Sequence, residues 1–202
     1  MNKLIIIGAS GHGKVLADIA KLNGYTDICF LDDDTSKKEC DGYPVIGTAA
    51  SIQKNTVCDY IVAIGNPSIR KEIQKVLIKS KVNIVSLIHP NAVVAENTVI
   101  GAGTVIMAGA VINTNVKIGD ACIINTCASV DHDCVIGDYV HVSVGAHIAG
   151  TVEVQEKTWI GIGAVVSNNL FITRNCMIGA GAVVVKDIKK KGTYVGVPAT
   201  AI

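Results

Sequence analysis

Residues 124–137 read Ile124-Asn125-Thr126-Cys127-Ala128-Ser129-Val130-Asp131-His132-Asp133-Cys134-Val135-Ile136-Gly137, with a branched aliphatic residue at every sixth position. The register extends in both directions. From Ile88 to Val184, all seventeen positions taken six apart are Ile or Val. Four residues after each lies a mostly small residue, as at Ala110, Cys122, Ala128, Cys134, Ala146, Ala164, Cys176 and Ala182, with Leu170 and Ile188 among the exceptions. A helix would repeat near 3.6 and a simple strand at 2, whereas six suits a short strand plus a corner, repeated. Three such units close one triangular coil, so each residue stacks on the one 18 positions later. With strands about 4.8 Å apart, the nearly six coils rise roughly 27 Å around an Ile/Val ladder. Gly, Asn and Asp at the turn positions tolerate the backbone angles of tight corners.

Half of the 202 residues are apolar, enough for a buried core. Lys plus Arg number 18 against 17 Asp plus Glu, so the charge gives no reason to expect nucleic acid or an anionic membrane as a partner. The apolar runs are short, none reaching the roughly 18 residues of a membrane span, and the run in MNKLIIIGASGHG is too short for a signal peptide. A cytoplasmic protein is expected. The seven cysteines lack paired spacing, which favours neither a disulfide framework nor a structural zinc site. In the six-residue register Cys122, Cys134 and Cys176 take the small inward position and read as core.

Before Ile88 the period is absent, and the chain reads as alternating strands and helices with a boundary near Ile84 to Pro90. LIIIG is a buried strand, GHGKVLADIAKLNG a helix closed by Gly24, ICFLDDD a second strand, and YIVAIGN a later strand followed by the helix PSIRKEIQKVLIKS. This is a reduced Rossmann-like unit. Its first loop, Gly8-Ala9-Ser10-Gly11-His12-Gly13, has the spacing GxxGxG and would present backbone N–H groups to phosphate oxygens. Gly11 is expected at the turn itself, where a side chain would fill ligand space and force a disfavoured backbone angle. Asp32 and Asp33 end the second strand, where an acid meets a ribose hydroxyl in such folds. Gly65 and Asn66 open onto the same sheet edge. The unit is too small for a full dinucleotide site.

The chemistry is expected in the middle coils. His132 sits at a corner between Asp131 and Asp133, and a carboxylate bonded to one imidazole nitrogen leaves the other as a base. Either acid would serve. Gly150 follows His132 by one coil, placing a backbone N–H where a tetrahedral oxyanion would form. His141 faces outward in a column with Ile123, Trp159 and Met177, an apolar strip suited to a subunit contact or a pantetheine groove. His147 reads as structural.

GASGHG, CFLDD, AIGN with IRKEI, SLIH, VDHDCVIGD, HVSVGAHIAG and YVGVPA together resemble the hexapeptide-repeat nucleotide-sugar and sialic acid acetyltransferases, and the resemblance runs from end to end. It is strongest to the branch that N-acetylates UDP-4-amino sugars. The resemblance implies a left-handed parallel β-helix (residues 84–202) behind a nucleotide-sugar-binding domain (1–83), a homotrimer, and acetyl-CoA as co-substrate without a metal. It also implies that His132 is the general base, Asp133 its orienter, and Asn125 a neighbour. His141, Gly150, Trp159, Ala180, Val197 and Pro198 would hold acetyl-CoA. Gly8, Ser10, Gly11, His12, Gly13, Asp32, Asp33, Gly65 and Asn66 would hold the nucleotide sugar. The N-acetylating branch carries Glu where Asp131 and Asp133 stand, while the Asp pattern resembles the O-acetylating branch that acts on sialic acid or related sugars. The common VPAK ending reads Val197-Pro198-Ala199-Thr200 here. Two rival readings are a γ carbonic anhydrase-type zinc enzyme, built on the same helix, and a non-catalytic nucleotide-sugar-binding protein.

Overall fold

The computed structural model describes residues 3–52 and 57–202, which form two compact units, Met1–Pro90 and Asn91–Ile202. The division between the units falls at Pro90/Asn91. In chain order the front unit contains β1 (Lys3–Ile7), α1 (Gly11–Leu22), β2 (Asp27–Leu31), β3 (Glu39–Cys40), β4 (Tyr43–Pro44), β5 (Cys58–Val62), α2 (Pro67–Ser80) and β6 (Asn83–Ile84). Four strands make a parallel sheet in the order β2-β1-β5-β6, and β3 and β4 form a separate hairpin. Ile7 pairs with both Leu31 and Val62, so the three long strands end at one level. Their near-continuous apolar sequences follow from burial on both faces. Leu4, Ile6, Phe30 and Ile61 are fully buried. Asn66 caps α2 by accepting from the Ser68 and Ile69 amides, with Pro67 at the first helical position. Asn23 and Gly24 close α1.

The second unit is a left-handed parallel β-helix of about six turns, built from two-residue strands. One face stacks Val105–Ile106, Ile123–Ile124, His141–Val142, Trp159–Ile160 and Met177–Ile178. A second runs from Val93–Val94 through Ser129–Val130 and His147–Ile148 to Val183–Val184. The third runs from Val99–Ile100 to Phe171–Ile172. Each pairing between these strands joins residues 18 apart, as the six-residue period requires, while the tail strand Thr193–Val195 adds to Met177–Ile178 at a separation of 16. The inward ladder is sealed: Ile106, Ile124, Val130, Val142, Val154, Ile160 and Ile178 are completely buried.

Every sixth residue from Gly103 to Gly181 has a positive φ, including Asn115, Asp133, Asn169 and Asn175. Asn and Asp tolerate this left-handed region, but Tyr139 (φ 61°) and Thr151 (φ 59°) do not favour it. At those two corners the stacked coil overrides local preference. The small inward residues also carry hydrogen bonds. Thr104 Oγ1 donates to the Gly119 carbonyl at 2.8 Å and accepts from the Cys122 amide at 2.9 Å. Cys134 Sγ contacts the Ala149 carbonyl at 3.2 Å. Cys122, Cys134 and Cys176 are buried, free thiols, as their phase in the repeat requires.

Candidate active site

Asp133 is the left-handed corner residue of its coil (φ 59°), and that turn swings its carboxylate back onto the preceding side chain. His132 Nδ1 lies 2.7 Å from Asp133 Oδ2. Asp131 faces differently: its Oδ1 accepts from the His132 backbone amide at 2.8 Å and from Asn113 Nδ2 at 2.6 Å. Asn115 Nδ2 supports Asp133 from the coil below at 3.2 Å. The hydrogen bond to Asp133 raises the His132 pKa above its ordinary value, and the same bond, followed by that from Asn115, lowers that of Asp133. Asp131 is lowered by Asn113 first and by the His132 amide second. Thus Asp133 orients the ring, while Asp131 braces the backbone beneath it.

Gly150 stacks directly on His132. A Cβ there would stand 2.6 Å from Nε2 and 2.7 Å from Cε1, so the imidazole lies flat against the bare backbone. The neighbouring amides are committed, Ala149 N–H to Val166 and Thr151 N–H to His132, whereas the Gly150 N–H has no acceptor among the described residues. An open N–H beside an oriented imidazole suits acyl transfer, in which a proton leaves the nucleophile as negative charge develops on a carbonyl oxygen.

The outward column is assembled as its spacing requires. Ile123, His141, Trp159 and Met177 pair in succession. The His141 ring lies against Trp159 with centroids 4.5 Å apart, and Asn125 Nδ2 is 3.1 Å from His141 Nε2. Trp159 Nε1 donates to Ser143 Oγ at 2.6 Å. Ala180 and Val197 are exposed, and the Ala199 amide bonds the Val183 carbonyl at 2.8 Å, tying the tail containing Pro198 to the last coil. His147 is exposed, with Nδ1 2.8 Å from Ser129 Oγ, beside a cavity of about 330 Å³ that Asn113 and Asp131 also line.

In the front unit the residues after β1, β2 and β5 meet at the carboxyl edge of the sheet. Gly8 has φ +112°, and a Cβ on it would meet the Ala63 carbonyl at 2.7 Å. A Cβ on Gly13 would meet the Gly8 carbonyl oxygen and Phe30. Gly11 differs from expectation. It is the first residue of α1, its φ is not positive, and a Cβ on it would face open space. The turn is made by Gly8, three residues earlier. Ser10 stands at the N-cap without a side-chain hydrogen bond, leaving the first amides of α1 uncapped by it. Asp32 Oδ2 accepts from the Ala9 amide at 2.7 Å and from Lys37 Nζ at 2.9 Å, and Oδ1 accepts from the Asp34 amide at 2.9 Å. Asp33 Oδ1 accepts from the Ala49 amide at 3.0 Å. A cavity of about 250 Å³ opens beside Asp32, Lys37 and Thr48.

Sequence reasoning missed Asn113, Asn115, Ser143, Lys37 and the buried Arg70, whose Nη1 donates to the carbonyls of Ile64 and Gly65 at 2.7 Å each. Asn113 and Asn115 stand one coil before Asp131 and Asp133, so the stacking that placed Gly150 would also have found them.

Residues 3–77 match the PglD N-terminal domain family. The acetyltransferase domain of PglB from Neisseria gonorrhoeae FA1090, in complex with acetyl coenzyme A, is 41% identical over the whole of both chains, with a TM-score of 0.94. This chain belongs to the hexapeptide-repeat nucleotide-sugar acetyltransferase family. A second solved member, PerB from Caulobacter crescentus in complex with CoA and GDP-perosamine, is 33% identical, covers all of this chain and 98% of its own, and has a TM-score of 0.92. The UDP-N-acetylbacillosamine N-acetyltransferase of Bacillus subtilis (strain 168) is 38% identical over 102 residues, 48% of this chain and 47% of that protein. The match thus spans about half the length of the curated relatives. Among the described residues no helix is long and apolar enough to cross a membrane.

Proposed function

We propose that this protein transfers the acetyl group of acetyl-CoA to the amine of a nucleotide-linked amino sugar of the UDP-4-amino-4,6-dideoxy type, for surface glycan synthesis in the cytoplasm. The carrying observation is the His132 imidazole, held on Nδ1 by Asp133 at 2.7 Å, with its ring over the open Gly150 amide. The amine attacks the thioester carbonyl, and Gly150 N–H receives the charge that develops on the carbonyl oxygen. His132 Nε2 takes the proton lost by the amine and returns it to the departing CoA thiolate. The products are the N-acetylated sugar and free CoA. No covalent acyl-enzyme is needed, in keeping with the burial of Cys122, Cys134 and Cys176 in the core of the coil. Holding both reactants in contact supplies much of the acceleration.

Acetyl-CoA would lie along His141, Gly150, Trp159, Ala180, Val197 and Pro198, with Asn125 setting the orientation of His141. The nucleotide sugar would sit on the loop from Gly8 to Gly13 with Asp33, Gly65 and Asn66. Asp32 contributes by shaping that loop through the Ala9 amide. A homotrimer is proposed as the working assembly. Solved relatives that hold acetyl coenzyme A, or CoA with GDP-perosamine, support the pairing of substrates.

Free-thiol release from acetyl-CoA, followed across a panel of UDP- and GDP-linked 4-amino sugars with NMR of the product, tests this reading. Acetylation at nitrogen is the expected outcome. Acetylation at a hydroxyl would instead favour the O-acetylating reading suggested by Asp131 and Asp133.

A further inference from the structure

The second face of the β-helix carries an outward column that reads, coil by coil, Val93, Val111, Ser129, His147, Val165 and Val183. Valine suits such a face, where a β-branched side chain packs on the rungs above and below. The two polar members stand on the two rungs that lead to the reacting pair. Ser129 is three residues before His132, and His147 is three before Gly150. They bond each other, Ser129 Oγ to His147 Nδ1 at 2.8 Å, which fixes the ring and leaves Nε2 without a hydrogen-bond partner among the described residues. Beside them lies the cavity of about 330 Å³, near the lower end of the roughly 300–1,000 Å³ range of ligand pockets. Two of its lining residues are immediate neighbours of the reacting pair, Asp131 before His132 and Ala149 before Gly150, so the cavity adjoins the acyl-transfer corner. Asp131 is pinned through Oδ1 by Asn113 and the His132 amide, and its Oδ2 has no hydrogen-bond partner among the described residues. The apolar part of the lining includes Ala149 and Val165.

We propose that this cavity receives the acceptor sugar ring and that His147 is a specificity-determining residue, hydrogen-bonded through Nε2 to the hydroxyl vicinal to the reacting amine. The inference rests on the nucleotide-amino-sugar reading above and names the side chain that reads the sugar. In a 4-amino-4,6-dideoxy pyranose the amine carbon has two ring neighbours, one bearing the 3-hydroxyl and the other the methyl group. The lining has a counterpart for each: His147 and Asp131 for the hydroxyl, Ala149 and Val165 for the methyl group. A hydroxyl both donates and accepts, so Nε2 serves it in either tautomer. Ser129 acts through His147 and is a positioning residue, because it holds the ring at Nδ1. A sugar lacking the 3-hydroxyl leaves that polar lining unpaired, which is how a hydrogen-bonding pocket discriminates.

Steady-state kinetics of the full chain with a UDP-4-amino-4,6-dideoxy sugar and its 3-deoxy analogue test this. His147→Ala should lower kcat/KM for the hydroxylated sugar by about tenfold, the equivalent of one hydrogen bond. On the 3-deoxy analogue the same variant should stay within about twofold of wild type, because the contact is already missing. His147→Gln, whose amide reaches the Nε2 position, should restore most of the loss, and Ser129→Ala should fall between wild type and His147→Ala. The KM for acetyl-CoA should stay unchanged throughout. An equal loss on both sugars, or no loss on the hydroxylated one, overturns the proposal. So does a His147→Ala variant whose acetyl-CoA KM rises or whose assembly state changes in light scattering, since the cavity would then belong to CoA or to a subunit contact. A wild type that acetylates no nucleotide 4-amino sugar overturns the assigned reaction instead, and this inference with it.

Discussion

Gly150 lies against the imidazole of His132 with no room for a methyl group between them, since a Cβ would stand 2.6 Å from Nε2. The two residues are one coil apart and are locked by the Thr151 amide, which donates to the His132 carbonyl at 2.9 Å. Gly150 has an ordinary negative-φ backbone, so its lack of a side chain serves the ring above it rather than the turn. Gly150→Ala should therefore displace the imidazole and leave the β-helix folded. Turnover should fall by about 10²-fold, in the range of a lost base or oxyanion contact, with the melting temperature nearly unchanged. Steady-state kinetics beside a thermal melt checks this.

Asp133 and Asp131 make opposite predictions. Asp133→Asn removes the carboxylate that holds Nδ1 and should lower kcat by about 10-fold or more, while Asp131→Asn should cost less because its carboxylate accepts from the His132 backbone amide and Asn113 rather than from the ring. The pH profile adds a sign. Asp133 raises the His132 pKa, and the base must be neutral to act, so activity falls as pH drops through that raised value. In Asp133→Asn the acid limb should move to lower pH. A larger loss in Asp131→Asn would reassign the orienting role.

The glycine loop separates stability from binding. Gly13→Ala places a methyl group against the Gly8 carbonyl and Phe30 and should destabilise the front unit by about 1–3 kcal/mol. Gly11→Val meets open space and should leave the melting temperature within a few degrees of wild type. It should nevertheless raise the KM for the nucleotide sugar and spare that for acetyl-CoA. An equal rise in both would remove this loop from the acceptor site.

Ile124 tests the ladder. It is completely buried inside the coil that leads to His132, and Ile124→Ala should cost about 2–5 kcal/mol in denaturant unfolding. Val135→Ala, on an exposed outward position nearby, should cost far less.

The β-helix was legible because a narrow triangular interior accepts only a branched aliphatic residue at each sixth position, and no other fold imposes that period. His132 and Gly150 followed from the same arithmetic, as did the column of Ile123, His141, Trp159 and Met177. Side-chain direction was not legible. Whether Asp131 or Asp133 reaches Nδ1 depends on the left-handed turn at Asp133, and five of the other left-handed corners are made by Ala121, Cys127, Tyr139, Thr151 and Lys157, residues without that preference. In the front unit the PSIRKEIQKVLIKS helix was legible from its cap and period. The inward turn of Asp32 towards Ala9 and Lys37 was not, nor was the clamp of Arg70 on Ile64 and Gly65, because buried polar contacts leave no periodic trace.

His132→Ala, assayed with acetyl-CoA and the UDP-4-amino-4,6-dideoxy sugar, tests the central claim most directly. The wild type should release one thiol for each N-acetylated sugar. The variant should lose about 10²–10⁴-fold in kcat while binding acetyl-CoA with nearly unchanged affinity in calorimetry. A variant within about tenfold of wild type would contradict His132 as the base. A wild type that leaves every nucleotide amino sugar unacetylated would contradict the assigned reaction.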